Sequence, residues 1–257
     1  MTGVLPVALE DATKISQPLL LAGKEYVCVM RIHSRTPEEK VRKVISEFTG
    51  EIYQRPPLVS SVRRSVRKRT IYYINDIEFK NDYVLFRVGC QSGTYIRKLV
   101  FDIGEALGCG AHMAELRRTR AGPFTEDKSL VTLYDLSDAY LSWKEDGDES
   151  YLRKVVQPME NALSHIPKIY IRDSAIDAIC HGADLALPGV LRLDSGIVPK
   201  DLVGIFSEKG EAVAIGKAFM SSEEMAGLDH GLAADTSRVI MQSGTYPPMW
   251  RRGSRSL

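Results

Sequence analysis

The sequence predicts an α+β protein: a largely antiparallel sheet with flanking helices, followed by a small β-barrel-like domain. Three observations carry this expectation. In the run EYVCVMRIH, Tyr26, Cys28, Met30 and Ile32 alternate onto one face, the pattern of a strand. Ile96, Leu99, Val100, Ile103 and Leu107 form one apolar stripe at helical spacing. After Ile166-Pro167 the chain turns to short apolar runs punctuated by Gly and Pro, which suits a small all-β domain.

Composition sets the bounds. With 257 residues and 44% hydrophobic content, the chain can bury one large or two modest cores. A net charge of +1 gives no global field to steer nucleic acid, so any such surface must be local. Cys28, Cys90, Cys109 and Cys180 form no C-x-x-C pair. That argues against a zinc site or a disulfide framework and for a reducing cytoplasm. No apolar run approaches the roughly 18 residues of a membrane span. The start, MTGVLPVALEDATK, lacks the basic lead and continuous apolar core of a signal peptide.

Taken in order, residues 2–10 suggest a turn entering a buried apolar segment, and residues 10–22 a helix or loop. The strand at 25–33 carries Tyr26, which as a strand aromatic suits a packed core. Thr36-Pro37-Glu38-Glu39 is a helix start, with Thr36 as cap and Glu39 completing a capping box. Val41, Val44, Ile45 and Phe48 continue that helix to Gly50. Pro56-Pro57 then forces an extended segment. Five of the seven residues from Arg63 to Arg69 are basic: Arg63, Arg64, Arg67, Lys68 and Arg69. They form either a solvated face or an edge that contacts phosphates. Residues 71–79 and 83–90 read as two strands of a hairpin turning at Lys80-Asn81-Asp82, with Tyr72 and Tyr73 in sheet packing.

Arg97 lies off the apolar stripe in the first turn of the next helix. A cation there opposes the helix dipole, so its placement calls for an anionic partner or leaves it a plain surface arginine. Arg117, Arg118 and Arg120 crowd a short strand whose two arginine faces suit an edge facing phosphates. Residues 125–166 read as mainly helical, clearest at 133–141 and 151–163, with a polar link at 144–149. That link lacks the Gly-spaced pattern of a calcium loop. Pro167 is the expected boundary. This divides the chain into residues 1–166, 167–247 and a basic tail, 248–257.

Several motifs together resemble the TruB/dyskerin family of RNA pseudouridine synthases, in its archaeal H/ACA form. TGVLPVALEDATK resembles the end of the family motif G-T-L-D-P-x-x-T-G-x-L-P. KEYVCVMRIH resembles the strand carrying the active-site tyrosine, and QRPPLVSSV the R-P-P-x-x-S-A segment. SGTYIRKL and AHMAELRRTRAGPF resemble its last two active-site motifs. HGADLALPGV, GEAVAIGKAFMSSEEM and GTYPPMW resemble its C-terminal PUA domain.

The resemblance implies a mixed pseudouridine-synthase sheet, here incomplete, and a mechanism without a cofactor or metal. A uridine is flipped out of its RNA, an aspartate breaks the glycosidic C–N bond, and the uracil rotates and rejoins through carbon. By the same match, Tyr26 stacks on the base and helps proton removal, and Arg97 pairs with the aspartate. Tyr95, Ile96 and Leu116 shape the pocket. Arg117, Arg118 and the basic run at 63–69 hold RNA phosphates. His181, Gly182 and Ala183, with Asp184, are the first place to look for PUA contacts. Implied partners are tRNA, or an H/ACA guide RNA with its rRNA target, and the small H/ACA proteins; no membrane is implied.

One departure stands out. The motif's aspartate precedes T-G-x-L-P, and Met1 occupies the position just before Thr2-Gly3. The aspartate is therefore absent from this sequence, and Asp11 and Asp102 are expected to be structural. Residues 1–257 alone are expected to be inactive, as a fragment or a chain begun at an internal methionine. The alternative is a non-catalytic, PUA-containing RNA-binding scaffold.

Overall fold

A computed structural model describes residues 2–56 and 65–249. They form two compact units. One comprises the residues before Val7 together with Leu20–Asp135, and the other Val7–Leu19 together with the residues from Leu136 onward.

In chain order the first elements are β1 (Thr2–Gly3), a 3-10 turn at Glu10–Ile15, α1 (Ser16–Leu21), β2 (Lys24–Ile32), α2 (Glu38–Glu47) and β3 (Gly50–Gln54). There follow β4 (Arg67–Lys80), β5 (Tyr83–Cys90), α3 (Ile96–Leu107), β6 (Ala111–Ala121) and β7 (Phe124–Thr125). The seven strands make one sheet in the order β1-β6-β2-β5-β4-β3, with β7 paired to β6. Every pairing is antiparallel except that of β1 with β6.

The alternation read in β2 sorts its residues as expected. Cys28, Met30 and Ile32 are buried, and with Phe86 and Val88 of β5 they meet Val41 and Ile45 of α2 and Leu99, Val100 and Ile103 of α3. Removing each of these larger side chains from water contributes about 1.5–3 kcal/mol. Helix α3 ends at Gly108, whose φ of +78° is the left-handed cap that glycine allows. The opposite sheet face carries a polar hub. Glu25 accepts hydrogen bonds from Tyr73 Oη (2.5 Å), Thr119 Oγ1 (2.6 Å) and Arg87 Nη1 (3.0 Å).

The second unit includes most of α4 (Leu133–Asp146), then α5 (Leu152–Val155), a 3-10 turn at Met159–Leu163, β8 (Lys168–Ile171) and α6 (Asp173–Cys180). After them come β9 (Leu185–Ala186), β10 (Val190–Leu193), β11 (Leu202–Ser207), β12 (Ala212–Lys217), α7 (Ser222–Gly227), β13 (Leu232–Ala234) and β14 (Arg238–Val239). Its strands form a five-stranded sheet, β10-β8-β11-β12-β14, and a β13-β9 ribbon around one core that includes Ile169, Ile171, Val203, Ile205 and Ala233. Helix α7 has a complete capping box between Ser221 and Glu224. No described helix is long and apolar enough to cross a membrane.

Several local expectations are corrected. The capping box at Thr36 does not form: α2 starts at Glu38, and the Thr36 hydroxyl donates to Ser34 O at 3.1 Å instead. Leu5, Val7 and Leu9 are exposed, and only Val4 of that apolar run is buried. The polar link expected at 144–149 is helical as far as Asp146, with Gly147 (φ +73°) following. Residues 151–163 break into two short pieces, since Pro158 cannot continue a helix. The strand bearing Arg117, Arg118 and Arg120 is not an edge, because β2 flanks it on one side and β1 and β7 on the other.

Candidate active site

The N-terminus of α3, the end of β3 and the adjoining stretches of β1, β2 and β6 enclose an open cleft of about 1050 Å³. Tyr26, Tyr95, Ile96, Arg97 and Leu116 all line it, together with Thr2, Arg55, Lys98, Phe101 and Glu115. Five residues selected from three separate motifs thus share one cleft.

Register explains part of the convergence. Tyr26 of β2 faces Arg118 of β6, and Cys28 faces Leu116 two positions on. Burial raises the Tyr26 phenol above its ordinary range, the Cys90 thiol adds to this, and the Arg118 guanidinium opposes it. A phenol rather than a phenolate therefore faces the cleft at neutral pH. Burial also holds the Cys90 thiol up at about 11, so it is no ready nucleophile.

Thr2 reaches the cleft because β1 pairs with β6 through Thr2↔Arg117 and Gly3↔Arg118. Val4 N donates to Arg118 O at 2.8 Å, and Arg118 Nε donates to Val4 O at 2.6 Å. Gly3 sits at φ +102°, where a Cβ would overlap the Arg118 backbone. Only glycine fits this approach.

Gln54, which the sequence reading passed over, fixes the other wall. It is 2% exposed, and its side-chain amide grips the Tyr95 backbone from both ends. Nε2 donates to Tyr95 O (3.2 Å), while Oε1 accepts from Tyr95 N (3.0 Å). Tyr95 is the N-cap of α3 and has no side-chain cap bond of its own, so Gln54 ties the helix start to β3. This sets Ile96 inward, 4% exposed, and leaves Arg97 exposed on the cleft. Glutamine before Arg-Pro-Pro is a weak signal in a sequence, because nothing local distinguishes a buried amide from a solvated one.

The remaining candidates are placed differently. Arg117 pairs through Nε and Nη2 with Glu126 and donates from Nη1 to Thr2 Oγ1 at 3.3 Å. Arg120 Nη2 donates to Tyr73 Oη at 3.3 Å. Lys68 pairs with Glu51 at 2.5 Å, Arg69 Nη1 donates to Lys68 O at 2.8 Å, and Arg67 stands opposite Gln54 in the β3–β4 register. Arg63 and Arg64 lie outside the described residues. Asp102 pairs with Lys98, and Asp11 with Lys14 at 3.3 Å. Among the described residues no carboxylate pairs with Arg97, and no group of three or more His, Cys, Asp or Glu is arranged to hold a metal ion.

In the second unit His181, Gly182 and Ala183 form an exposed turn at the end of α6. His181 Nδ1 lies 2.7 Å from Asp177 O, and Gly182 adopts φ +86° in open space. Ala183 O accepts from Thr236 Oγ1 at 2.6 Å, while Asp184 Oδ1 accepts from Thr236 N at 3.2 Å.

Comparison with known proteins matches both units. The N-terminal domain of TruB family pseudouridylate synthases matches residues 1–96, the C-terminal domain of tRNA pseudouridylate synthase B residues 97–164, and the PUA domain residues 167–240. A probable tRNA pseudouridine synthase B of Methanosarcina barkeri is 57% identical over 252 residues, covering 98% of this chain and 74% of that protein. Two solved structures superpose closely. A Cbf5-Nop10-Gar1 complex gives a TM-score of 0.91 at 56% identity, covering 95% of this chain and 74% of the matched one. An H/ACA RNP bound to a substrate RNA containing 2'-deoxyuridine gives 0.89 at 54%, covering 96% and 75%. With its motifs gathered on one cleft and its sequence matched over nearly all of its own length, the chain belongs to the TruB family of pseudouridine synthases and carries a PUA domain.

Proposed function

We propose that the cleft receives a uridine flipped out of RNA and serves its conversion to pseudouridine. The observation that carries this reading is the convergence of Tyr26, Tyr95, Ile96, Arg97 and Leu116 on the cleft that Thr2 also lines. In the family motif the nucleophilic aspartate precedes that threonine by a few residues. Thr2 and Arg97 line the same cleft, which supports Arg97 as the partner that pairs and orients the carboxylate. Tyr26, neutral and half-buried, stacks on the uracil and assists proton removal. Ile96 and Leu116 keep the wall apolar, which strengthens the charge pairing inside it. The glycosidic N1–C1′ bond breaks, the uracil turns, a C5–C1′ bond forms, and the proton lost from C5 is balanced by one gained at N1, so the reaction is an isomerisation that needs no external reactant.

The relatives' names support tRNA as a substrate, and the match to an H/ACA RNP with bound substrate RNA supports a target presented in such a particle. The T-loop uridine and a guide-directed rRNA uridine are the targets we propose. The same matches support assembly with guide RNA and small H/ACA proteins. We assign residues 1–166 to the catalytic domain, 167–247 to a PUA domain that grips RNA ends at His181–Asp184, and 248–257 to a basic tail. Cysteine usage supports a cytoplasmic setting. Arg63, Arg64, Arg67, Lys68 and Arg69 are kept as RNA contacts, while Arg117 and Arg118 contact phosphate only by exchanging the bonds they now make.

The motif's aspartate is not among residues 1–257, and no described carboxylate pairs with Arg97. This favours a second reading for the 257-residue polypeptide taken alone: it binds RNA without turnover. Arg97→Ala tests the first reading, in a longer polypeptide that carries the motif's aspartate ahead of Thr2. Pseudouridine formation is expected to be lost while RNA affinity stays within about threefold, a difference under 1 kcal/mol. Unchanged turnover removes Arg97 from the mechanism.

A further inference from the structure

We propose that the helix flank of the cleft holds a second subsite, for the nucleotide adjacent to the flipped uridine. Phe101 serves as its stacking platform, and Lys98 and Arg55 as its phosphate partners. The proposal rests on the reading of the cleft as a uridine site and deepens it. The apolar residues that α3 needs for the core are already buried at Ile96, Leu99, Val100, Ile103 and Leu107. Phe101 is not among them: it is 50% exposed and lines the cleft. A large aromatic ring on the solvent side of a helix contributes little to the core, but it offers a face to a base.

Position and size agree with this. Phe101 follows Arg97 by four residues, so the two side chains share one flank about 6 Å apart along the axis. A nucleotide next to the uridine in this cleft therefore has the ring within reach. Lys98 Nζ lies 4.5 Å from the ring centroid and is paired with Asp102, which keeps a cation at the same spot. Arg55, exposed, brings a second cation to the cleft from the end of β3. At about 1050 Å³ the cleft is at the top of the range that encloses a whole drug-sized ligand, more than one nucleoside fills. Stacking on a ring accepts any base, and cations on the backbone position a strand without reading it. The subsite would thus order the neighbouring nucleotide whatever its identity, as an enzyme facing varied sequence around its uridine requires.

The test uses the 257-residue protein and a T-arm stem-loop RNA with 2-aminopurine on one side or the other of the target uridine. Binding is expected to quench one of the two probes. Phe101→Ala should abolish that quench and weaken binding roughly fivefold or more, and Phe101→Trp should keep both. Arg55→Met should lower the slope of log affinity against log salt by about one, and Lys98→Met by less, because Asp102 already offsets part of its charge. An unchanged melting midpoint confirms that Phe101→Ala is folded. Unaltered quench and affinity in Phe101→Ala, with parent binding intact, overturn the subsite and leave the uridine reading standing. No RNA binding by the folded parent protein overturns both.

Discussion

Helix α3 and strand β6 both bring residues to the cleft and both carry cations, but they use those cations differently. On the helix flank Arg97 and Lys98 reach the cleft from α3, and Arg97 has no carboxylate partner among the described residues. On β6, just past the cleft residue Leu116, Arg117 is held by Glu126 and Thr2, Arg118 by Val4 and Arg120 by Tyr73. The strand arginines mainly tie β6 to β1 and to the polar hub, whereas the helix arginine is left to meet something else. A cation's value to a ligand depends on which donors it has left after folding, and residue spacing does not report that.

The comparison can be broken in several ways. The largest contrast is expected between Arg97→Ala and Arg117→Ala in a polypeptide that includes the motif's aspartate. The first should abolish pseudouridine formation. The second should leave it within a few-fold, since the Arg117–Glu126 pair is solvent-screened and contributes little. Equal losses would erase the distinction between the flanks. Next comes Gly3→Ala, which forces a Cβ into the Arg118 backbone at a positive φ and should cost about 1–3 kcal/mol or detach β1. Urea unfolding measures it, and a neutral result would mean that the β1–β6 approach is not as close as described.

Gln54→Ala sharpens the helix side. It removes both bonds to Tyr95 from a buried site and should destabilise by about 1–3 kcal/mol, read as a lower urea midpoint. The smallest effect concerns acid. Burial alone would raise the Glu25 carboxyl, but hydrogen bonds from Thr119, Tyr73 and Arg87 outweigh it and hold the carboxyl below its ordinary value. Its stabilisation is therefore present above the unfolded carboxylate range and lost as pH falls through the depressed folded value. Glu25→Gln should flatten that part of the stability–pH curve, and an unchanged curve would remove Glu25 from acid unfolding.

Periodic features were legible in the residues. The alternation of β2, the stripe of α3 with its Gly108 stop and the turn between β4 and β5 all appear where the patterns put them. These depend only on which side of an element meets the core. Features set by distant partners were not legible. Thr36 looked like a cap, but its hydroxyl bonds elsewhere. The β6 arginines looked like an edge, and two short strands far apart in sequence, β1 and β7, cover that side. In the cleft, Tyr26 and Arg97 were nominated through motifs, while Gln54 and Phe101 were missed. The role of Gln54 comes from burial and that of Phe101 from exposure, and a sequence displays neither directly.

In the proposed mechanism the nucleophile is the carboxylate that the family motif places ahead of Thr2, with Arg97 as its partner. The most direct measurement is pseudouridine content in a T-arm RNA after incubation with the 257-residue polypeptide, beside one extended to carry that aspartate. None is expected with the first, despite RNA binding, and turnover is expected with the second. Clear turnover by residues 1–257 alone would contradict it.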